Sequence, residues 1–306
     1  MARSHLIFGP VLSRRLGYSL GLDLLLPKTC NLDCLYCEVG RTVHLTNERG
    51  HFVSFDEVIR EIKACVHAID YLTITGSGEP TLHSNLDELI GRLKAEFSYP
   101  VVLITNSLLL SRPEVRRELL GLDILMPSLD AATQQAFEQI NRPQPGTKVE
   151  EIVQGLVDFR QSFEGKIWLE ILFVKGINDS PEEIHHLKKA IHQIQPDKIQ
   201  LNTVVRPPAF RDRAIPLSTL EMETIARSLD DPRVEILSTY APKNIGITLS
   251  ASELIDYLSR RPAHFEELAR LFKAPHEEVR QLLLSLEHNG RIRKEVYGHE
   301  VFFRAT

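Results

Sequence analysis

Between residues 20 and 205 short apolar runs rich in β-branched side chains alternate with longer amphipathic stretches, and this rhythm restricts the possible folds more than any other feature of the chain. It predicts strands over 20–26, 71–75, 101–105, 124–127, 167–173 and 198–204, and helices over 55–68, 86–96, 113–120, 131–140, 149–159 and 181–194. Several boundaries carry their own signals. Ser54 stands three residues before Glu57, a capping-box spacing, and Ser180-Pro181 puts proline at a first helical position, where its missing N–H costs nothing. Strands joined through helices pair in parallel, so the expected fold is α/β, a partial (β/α)6-type barrel with helices outside the sheet. An open doubly wound sheet is the alternative, but no G-x-G-x-x-G follows the first strand.

A proline-rich break follows, with Pro207-Pro208, Pro216, Pro232 and Pro242. Beyond it Ser250 caps a helix of about ten residues, helices over 264–272 and 277–289 come next, and Gly290 ends the last of them. Segments 291–294 and 299–304 then read as a two-stranded ribbon around Tyr297-Gly298. This is the winged-helix pattern. Two domains are expected, 1–247 and 248–306.

Lys and Arg total 36 against 41 Asp and Glu, a net charge of -5 over 306 residues, so no global field recruits a polyanion and a nucleic acid would have to be met by a local patch. Apolar stretches such as 167–174 are cut by a charge, Glu170, and fall far short of the roughly 18 residues of a membrane helix. The N-terminal apolar run stops at Gly9-Pro10, too soon for a signal peptide. A reducing, cytoplasmic location with no membrane partner is the expectation.

Of the 4 cysteines, Cys30, Cys34 and Cys37 fall in one short segment directly after the first predicted strand, whereas Cys65 lies with Val58 and Ile62 on the apolar face of a predicted helix. A disulfide framework would spread them. Thiolates this close converge on one centre at the end of a parallel strand, where such folds place active sites. Two chemistries fit: three irons of a [4Fe-4S] cluster with the fourth left open for a ligand, or a structural zinc with Cys65, His44 or His51 completing the set. The next strand ends in Thr75-Gly76-Ser77-Gly78-Glu79-Pro80, where glycines admit a ligand close to the backbone and the Glu79 carboxylate suits an ammonium group; a plain glycine-rich turn is the simpler reading.

In this arrangement the chain resembles the radical S-adenosylmethionine (SAM) superfamily. The resemblance rests on Cys30, Cys34 and Cys37 with the aromatic Tyr36 before the third cysteine, on Gly78-Glu79-Pro80, Thr105-Asn106 and Ser128-Leu129-Asp130, and on Val174-Lys175-Gly176 with Asn178-Asp179 and Gln200-Leu201-Asn202. These motifs run in family order over roughly residues 20–206. The resemblance implies a [4Fe-4S] cluster on the three cysteines, SAM on the open iron, Gly78 and Glu79 at its amino group, Asn106 and Ser128 at its ribose or carboxylate, and Asn202 at its adenine. Tyr36, Gly76, Pro80 and Asp130 complete the implied cofactor site, with helix capping as the other role for Asp130. One-electron chemistry of an oxidoreductase kind is implied: a reduced cluster, fed by a donor such as flavodoxin or ferredoxin, cleaves SAM, and a 5′-deoxyadenosyl radical removes hydrogen from a substrate. Lys175 is the candidate catalytic or substrate-binding side chain, beside a plain surface role.

A narrower similarity, through 9–17, 27–30 and 200–208, is to a group near the wyosine-type tRNA-modifying enzymes, although those that build the tricyclic base carry extra cysteines and here only Cys65 remains. RNA is accordingly the first substrate expectation. Protein or glycyl-radical activation, small-molecule radical chemistry and a non-enzymatic zinc or Fe-S regulator are the alternatives. Ser13-Arg14-Arg15, Arg206, Arg211 and Arg213 flank the predicted barrel mouth and suit a phosphate or carboxylate. In the winged helix Arg291, Arg293 and Lys294 suit RNA phosphate, whereas Glu277 and Glu278 head the helix that would read a groove and repel it.

Overall fold

A hairpin opens the chain: β1 (Ile7–Ser13) turns through Arg14, Arg15 and Leu16 into β2 (Gly17–Leu22), the two pairing antiparallel from Ile7 with Leu22 to Ser13 with Gly17. The computed structural model describes residues 6–65, 69–237, 249–272 and 274–306. After β2 a long loop carries a small parallel ladder of its own, β3 (Thr29–Cys30) with β4 (His44–Leu45). There follow α1 (Phe55–Ala64), β5 (Tyr71–Ile74), α2 (Leu86–Glu96), β6 (Val101–Thr105), α3 (Pro113–Glu118), β7 (Ile124–Pro127), α4 (Gln134–Ile140), α5 (Val149–Ser162), β8 (Lys166–Phe173), α6 (Pro181–Ile194), β9 (Lys198–Thr203), α7 (Thr219–Leu229) and β10 (Val234–Ile236). The main sheet runs β1-β2-β5-β6-β7-β8-β9-β10, parallel from β2 onward. β1 and β10 are its edges, and among the described residues no pairing joins them into a ring.

Strands buried on both faces need apolar residues at nearly every position. In β8 the run Ile167-Trp168-Leu169 and Ile171 is buried against the helices and the sheet's inner face, which makes Glu170 in its midst conspicuous. On the inner face Leu16, from the β1–β2 turn, packs with Val102, Ile124, Met126 and Trp168. The turn thus plugs one end of the sheet's concavity.

Three expectations are corrected here. The first strand is β2, ending at Leu22 rather than 26, and it has an antiparallel partner that Gly9-Pro10 disguised by interrupting the alternation. The proline-rich stretch is not a plain linker. Ser218 and Glu221 form a full capping box on α7, and β10 adds one more parallel strand. The helix expected over 131–140 begins at Gln134, because Thr133 is its cap and accepts from Ala136 N–H. Residues 66–68 of the first predicted helix, and the predicted 247/248 domain boundary, lie outside the described residues.

The C-terminal unit comprises α8 (Ala251–Arg260), β11 (Ala263–His264), α9 (Phe265–Leu271), α10 (His276–His288), β12 (Ile292–Tyr297) and β13 (Glu300–Ala305). Its ribbon has a third strand, β11, paired with β13 through Ala263–Phe303 and His264–Phe302. Phe302 and Phe303 are buried. The unit does not stand apart from the main sheet. Val11 of β1 belongs to the same apolar cluster as Leu254, Leu258, Leu268 and Val279, and Phe8 and Tyr18 pack against it. Charges reinforce the contact: Arg260 reaches Asp23 at 3.2 Å, Arg206 bridges Glu38 at 3.2 Å and Glu267 at 3.0 Å, and Arg211 meets Glu295 at 2.7 Å.

Candidate active site

The loop from 30 to 46 is clipped at several points. Thr46 N–H donates to the Cys30 carbonyl, Leu35 and Asp33 N–H donate to the carbonyls of Ile140 and Asn141, and the Thr42 hydroxyl donates to the Leu32 carbonyl at 2.6 Å. Leu32 and Leu35 are buried anchors, and around them Cys30, Cys34 and Cys37 are half-buried. Amides point at the sulfurs: Asn106 Nδ2 lies 3.6 Å from Cys30 Sγ and Asn141 Nδ2 lies 3.4 Å from Cys34 Sγ. Backbone N–H groups of Asn31 and Leu32 serve Cys30, and those of Val39 and Gly40 serve Cys37. Burial, aided by the Glu79 charge, nonetheless pushes the Cys30 thiol up to about 12, and burial raises Cys34 and Cys37 as well. Anionic sulfur here needs positive charge brought to it.

Glu79 ends β5's loop and is 2% exposed. Its Oε1 accepts from Thr81 N–H at 3.1 Å and from the Thr81 and Thr105 hydroxyls at 2.6 Å each, and its Oε2 accepts from Asn106 N–H at 2.8 Å. Three of these four donors crowd Oε1, and Oε2 keeps room for a further donor. The side chain caps the turn at Pro80–Leu82 and locks the end of β6, holding Asn106 where its amide reaches both Cys30 and Asn31 Oδ1. Glu79→Ala strands up to three buried donors and is expected to destabilise the fold by about 2–4 kcal/mol, read from the urea midpoint of the purified protein. Unchanged stability with weakened SAM binding would leave the carboxylate the ammonium role alone.

Glycine is demanded twice in the same turn. A Cβ on Gly78 would lie 1.8 Å from the Thr29 carbonyl oxygen, and Gly76 has φ +151 with a Cβ position 2.2 Å from the Asp23 carboxylate. Asp23 in turn accepts from Ser77 N–H at 3.1 Å, so the turn is fitted against both the cysteine loop and the end of β2.

Asp130 caps no helix. It is 3% exposed and accepts from Tyr36 Oη at 2.5 Å, Asn141 Nδ2 at 2.7 Å and Leu172 N–H at 2.9 Å. Burial raises its carboxyl to about 6 against the pull of these donors. Through Tyr36 and Asn141 it fixes two residues that flank or touch the cysteines.

One cavity of about 310 Å³ adjoins the loop. Ser19, Thr73, Ile104, Glu170 and Asn202 line it from β2, β5, β6, β8 and β9, so the sheet is concave around it. Tyr36, Cys37, Gly76 and Asn202 are the sequence-predicted residues in its wall; Gly78, Glu79, Pro80, Asn106 and Asp130 stand behind that wall, and Ser128 is bridged to Glu170 at the end of β7. Lys175 is elsewhere: 52% exposed and paired with Glu221 at 2.7 Å, it is withdrawn as a catalytic candidate. The floor is the β1–β2 turn, where Arg15 forms an ion pair with Glu170, Asn202 Nδ2 donates to Glu170 Oε1 at 2.9 Å, and Arg14 Nη2 lies 3.5 Å from Asn202 Oδ1. Arg260 and Arg261, from the C-terminal unit, complete the wall with Arg206 and Glu38. The sequence offered one signal for Glu170, a charge inside an apolar strand, and none for Asp23, Glu38, Asn141 or Arg261, whose partners are distant in the chain.

The profile of the Radical SAM superfamily matches residues 24–187, and that of the DprA winged helix domain matches 246–295. A UPF0026 protein of Helicobacter pylori is 33% identical over 277 residues, covering 87% of this chain and 88% of its own length. The chain belongs to the radical SAM superfamily and to the UPF0026 family. The UPF0026 protein MJ1312 of Methanocaldococcus jannaschii is 28% identical over 97% of this chain and 94% of its own length. A protein of Brachyspira hyodysenteriae named GTPase Obg is 36% identical over 95% of this chain, which spans 44% of that protein's length. Among solved structures a radical SAM methyltransferase from Sphaerobacter thermophilus superposes with TM-score 0.54 at 14% identity, over 71% of this chain and 66% of that one. Streptococcus suis SuiB bound to S-adenosylmethionine gives 0.51 at 14%, over 69% and 48%. At such identities the likeness is one of fold.

The radical SAM loop fits the cluster its superfamily generally binds. Three sulfurs on one loop, each with amide donors aimed at it, suit thiolates whose charge is met by iron, and N–H···S contacts of this kind tune such clusters. A single zinc is not supported: among the described residues no three His, Cys, Asp or Glu side chains converge as one ion requires, and His44 and His51 are exposed. No described helix is long and apolar enough to cross a membrane.

Proposed function

We propose that this radical SAM protein is an enzyme that holds a [4Fe-4S] cluster on Cys30, Cys34 and Cys37 and SAM in the adjoining cavity, and that it acts on a small molecule admitted to that cavity. The observation that carries the reading is the sharing of one wall by Cys37, Gly76 and Asn202, which come from opposite sides of the sheet. When bound, the cluster supplies the single electron that cleaves SAM and so gives access to hydrogen abstraction. The chain's own residues do the rest. The Gly76 backbone meets the amino end of SAM, and glycine at 76 and 78 lets the turn sit against Asp23 and Thr29. The adenine lies on the β9 side, at Asn202. Beneath the cavity Leu16 packs on Val102, Ile124, Met126 and Trp168, which keeps water from that part of the inner face. The electron donor is a reducing protein partner of the flavodoxin or ferredoxin kind.

A small substrate is favoured over RNA by the C-terminal unit. Its α10 begins with exposed Glu277 and Glu278, Arg293 and Lys294 are held by Glu295 and Glu287, and the C-terminal end of α8 turns Arg260 and the following Arg261 to the cavity. Anaerobic reconstitution tests the proposal: about four irons per chain and conversion of SAM to 5′-deoxyadenosine and methionine under dithionite are expected. Zinc in place of iron, or iron without SAM cleavage, would overturn it.

A further inference from the structure

The cavity's cations are nearly all answered by carboxylates. Arg15 has Glu170, Arg206 has Glu38 and Glu267, Arg260 has Asp23 and Asp256, and Arg261 has Glu267. Arg14 is the exception. It has no ion pair among the described residues, and its sole side-chain hydrogen bond, to Asn202 Oδ1, is long at 3.5 Å. Its Nη1 is buried and has no hydrogen-bond partner among the described residues, yet the side chain lines the cavity. Guanidinium groups are not buried unanswered without cost, and their donors match two oxygens of one anion.

We propose that Arg14 is the anion-binding residue of the substrate site, and that the substrate is a small molecule bearing a carboxylate or a phosphate. Both oxyanions present the paired oxygens that a guanidinium takes in bidentate fashion, so they share the chemistry argued here. The carboxylates facing the cavity, Glu38 and Glu170, do not repel such a group outright, since each is already held by an arginine. Burial, then Arg206 and Arg15, lower the Arg14 guanidinium to about 10, and Glu170 and Glu38 offset them only in part. The inference rests on the reading above, in which the charged end of SAM lies at Gly76 on the β5 side and its uncharged adenine at Asn202. Arg14 lies beside that adenine and across the cavity from the SAM carboxylate, so the anion it takes is assigned to the substrate.

The test uses the full chain with its cluster reconstituted, inorganic phosphate and malonate as probes, and calorimetric titration in saturating SAM. Wild type is expected to bind a probe, Arg14→Gln at least about tenfold more weakly, and Arg14→Lys in between, since it keeps the charge and loses the fork. Without added anion, Arg14→Gln is expected to melt no lower than wild type, because it removes a buried charge that lacks a counter-ion. If it melts lower, Arg14→Lys decides: restored probe binding supports the proposal and its failure makes Arg14 a structural residue. No binding in wild type, equal binding in Arg14→Gln, or displacement of the probe by SAM each overturns the proposal, the last by giving the guanidinium to SAM's own carboxylate. Wild-type SAM cleavage, followed on the same preparation, separates the two readings. Protein that binds a probe through Arg14 but leaves SAM intact retains the anion site and loses the radical reading.

Discussion

Replacing any one of Cys30, Cys34 or Cys37 with Ala is expected to abolish assembly of the iron-sulfur cluster, while Cys65→Ala assembles it fully. The three sulfurs sit on one clipped loop with amides directed at Cys30 and Cys34, so each supplies a ligand that no neighbouring side chain can replace. Losing one thiolate leaves two of four irons without protein ligands, and partial clusters of that kind are lost on desalting. Cys65 terminates α1 and packs as a small hydrophobe against the main apolar core. Iron content and the visible charge-transfer absorption of the four variants, reconstituted side by side without oxygen, check the expectation. Equal iron loss in Cys65→Ala would refute the ligand assignment.

Removing residues 249–306 is expected to cost the protein its fold along with both SAM cleavage and substrate binding. The C-terminal unit shares an apolar cluster with Val11, and its loss exposes Phe8 and Tyr18, takes Arg260 from Asp23 and leaves Arg206 with Glu38 alone. Stranding one buried charge costs about 3–5 kcal/mol. Domains are stable by roughly 5–15 kcal/mol in all, so the truncated chain should be poorly soluble or melt far lower. Glu267→Gln in the full chain isolates the electrostatic share. Burial pushes the Glu267 carboxyl up, but Arg206 and Arg261 outweigh it and hold it at about 2, below the 4.5 of a free glutamate. A lowered folded value stabilises above the unfolded pKa and is lost as pH falls toward the folded one. From pH about 5 down to about 2, wild type should therefore lose about 3 kcal/mol more than Glu267→Gln, measured by urea unfolding. A truncated protein that stays folded and cleaves SAM normally would return the unit to the role of a separate recruiting module.

Alternation of apolar runs and amphipathic stretches determined the parallel sheet, because strands buried on both faces and helices buried on one need different periods, and each period is local. Spacing determined the cysteine loop and the glycine turn for the same reason: Cys30 to Cys37 and Gly76 to Pro80 are neighbours in sequence as well as in space. The α7–β10 unit was equally local but hidden, since prolines at its loops read as a linker.

Contacts between distant residues are another matter. Glu79 and Asp130 read from the sequence as residues of the cofactor site, and nothing local shows that Thr81, Thr105 and Asn106 converge on the first or Tyr36, Asn141 and Leu172 on the second. The winged-helix pattern was legible, but that α8 forms part of the cavity wall follows from Arg260 meeting Asp23, a pair 237 residues apart. A sequence fixes which groups carry charge and how each segment repeats. Which carboxylate answers which arginine depends on loops closing over long stretches of chain, and only the packed structure decides that Arg14 has none among the described residues.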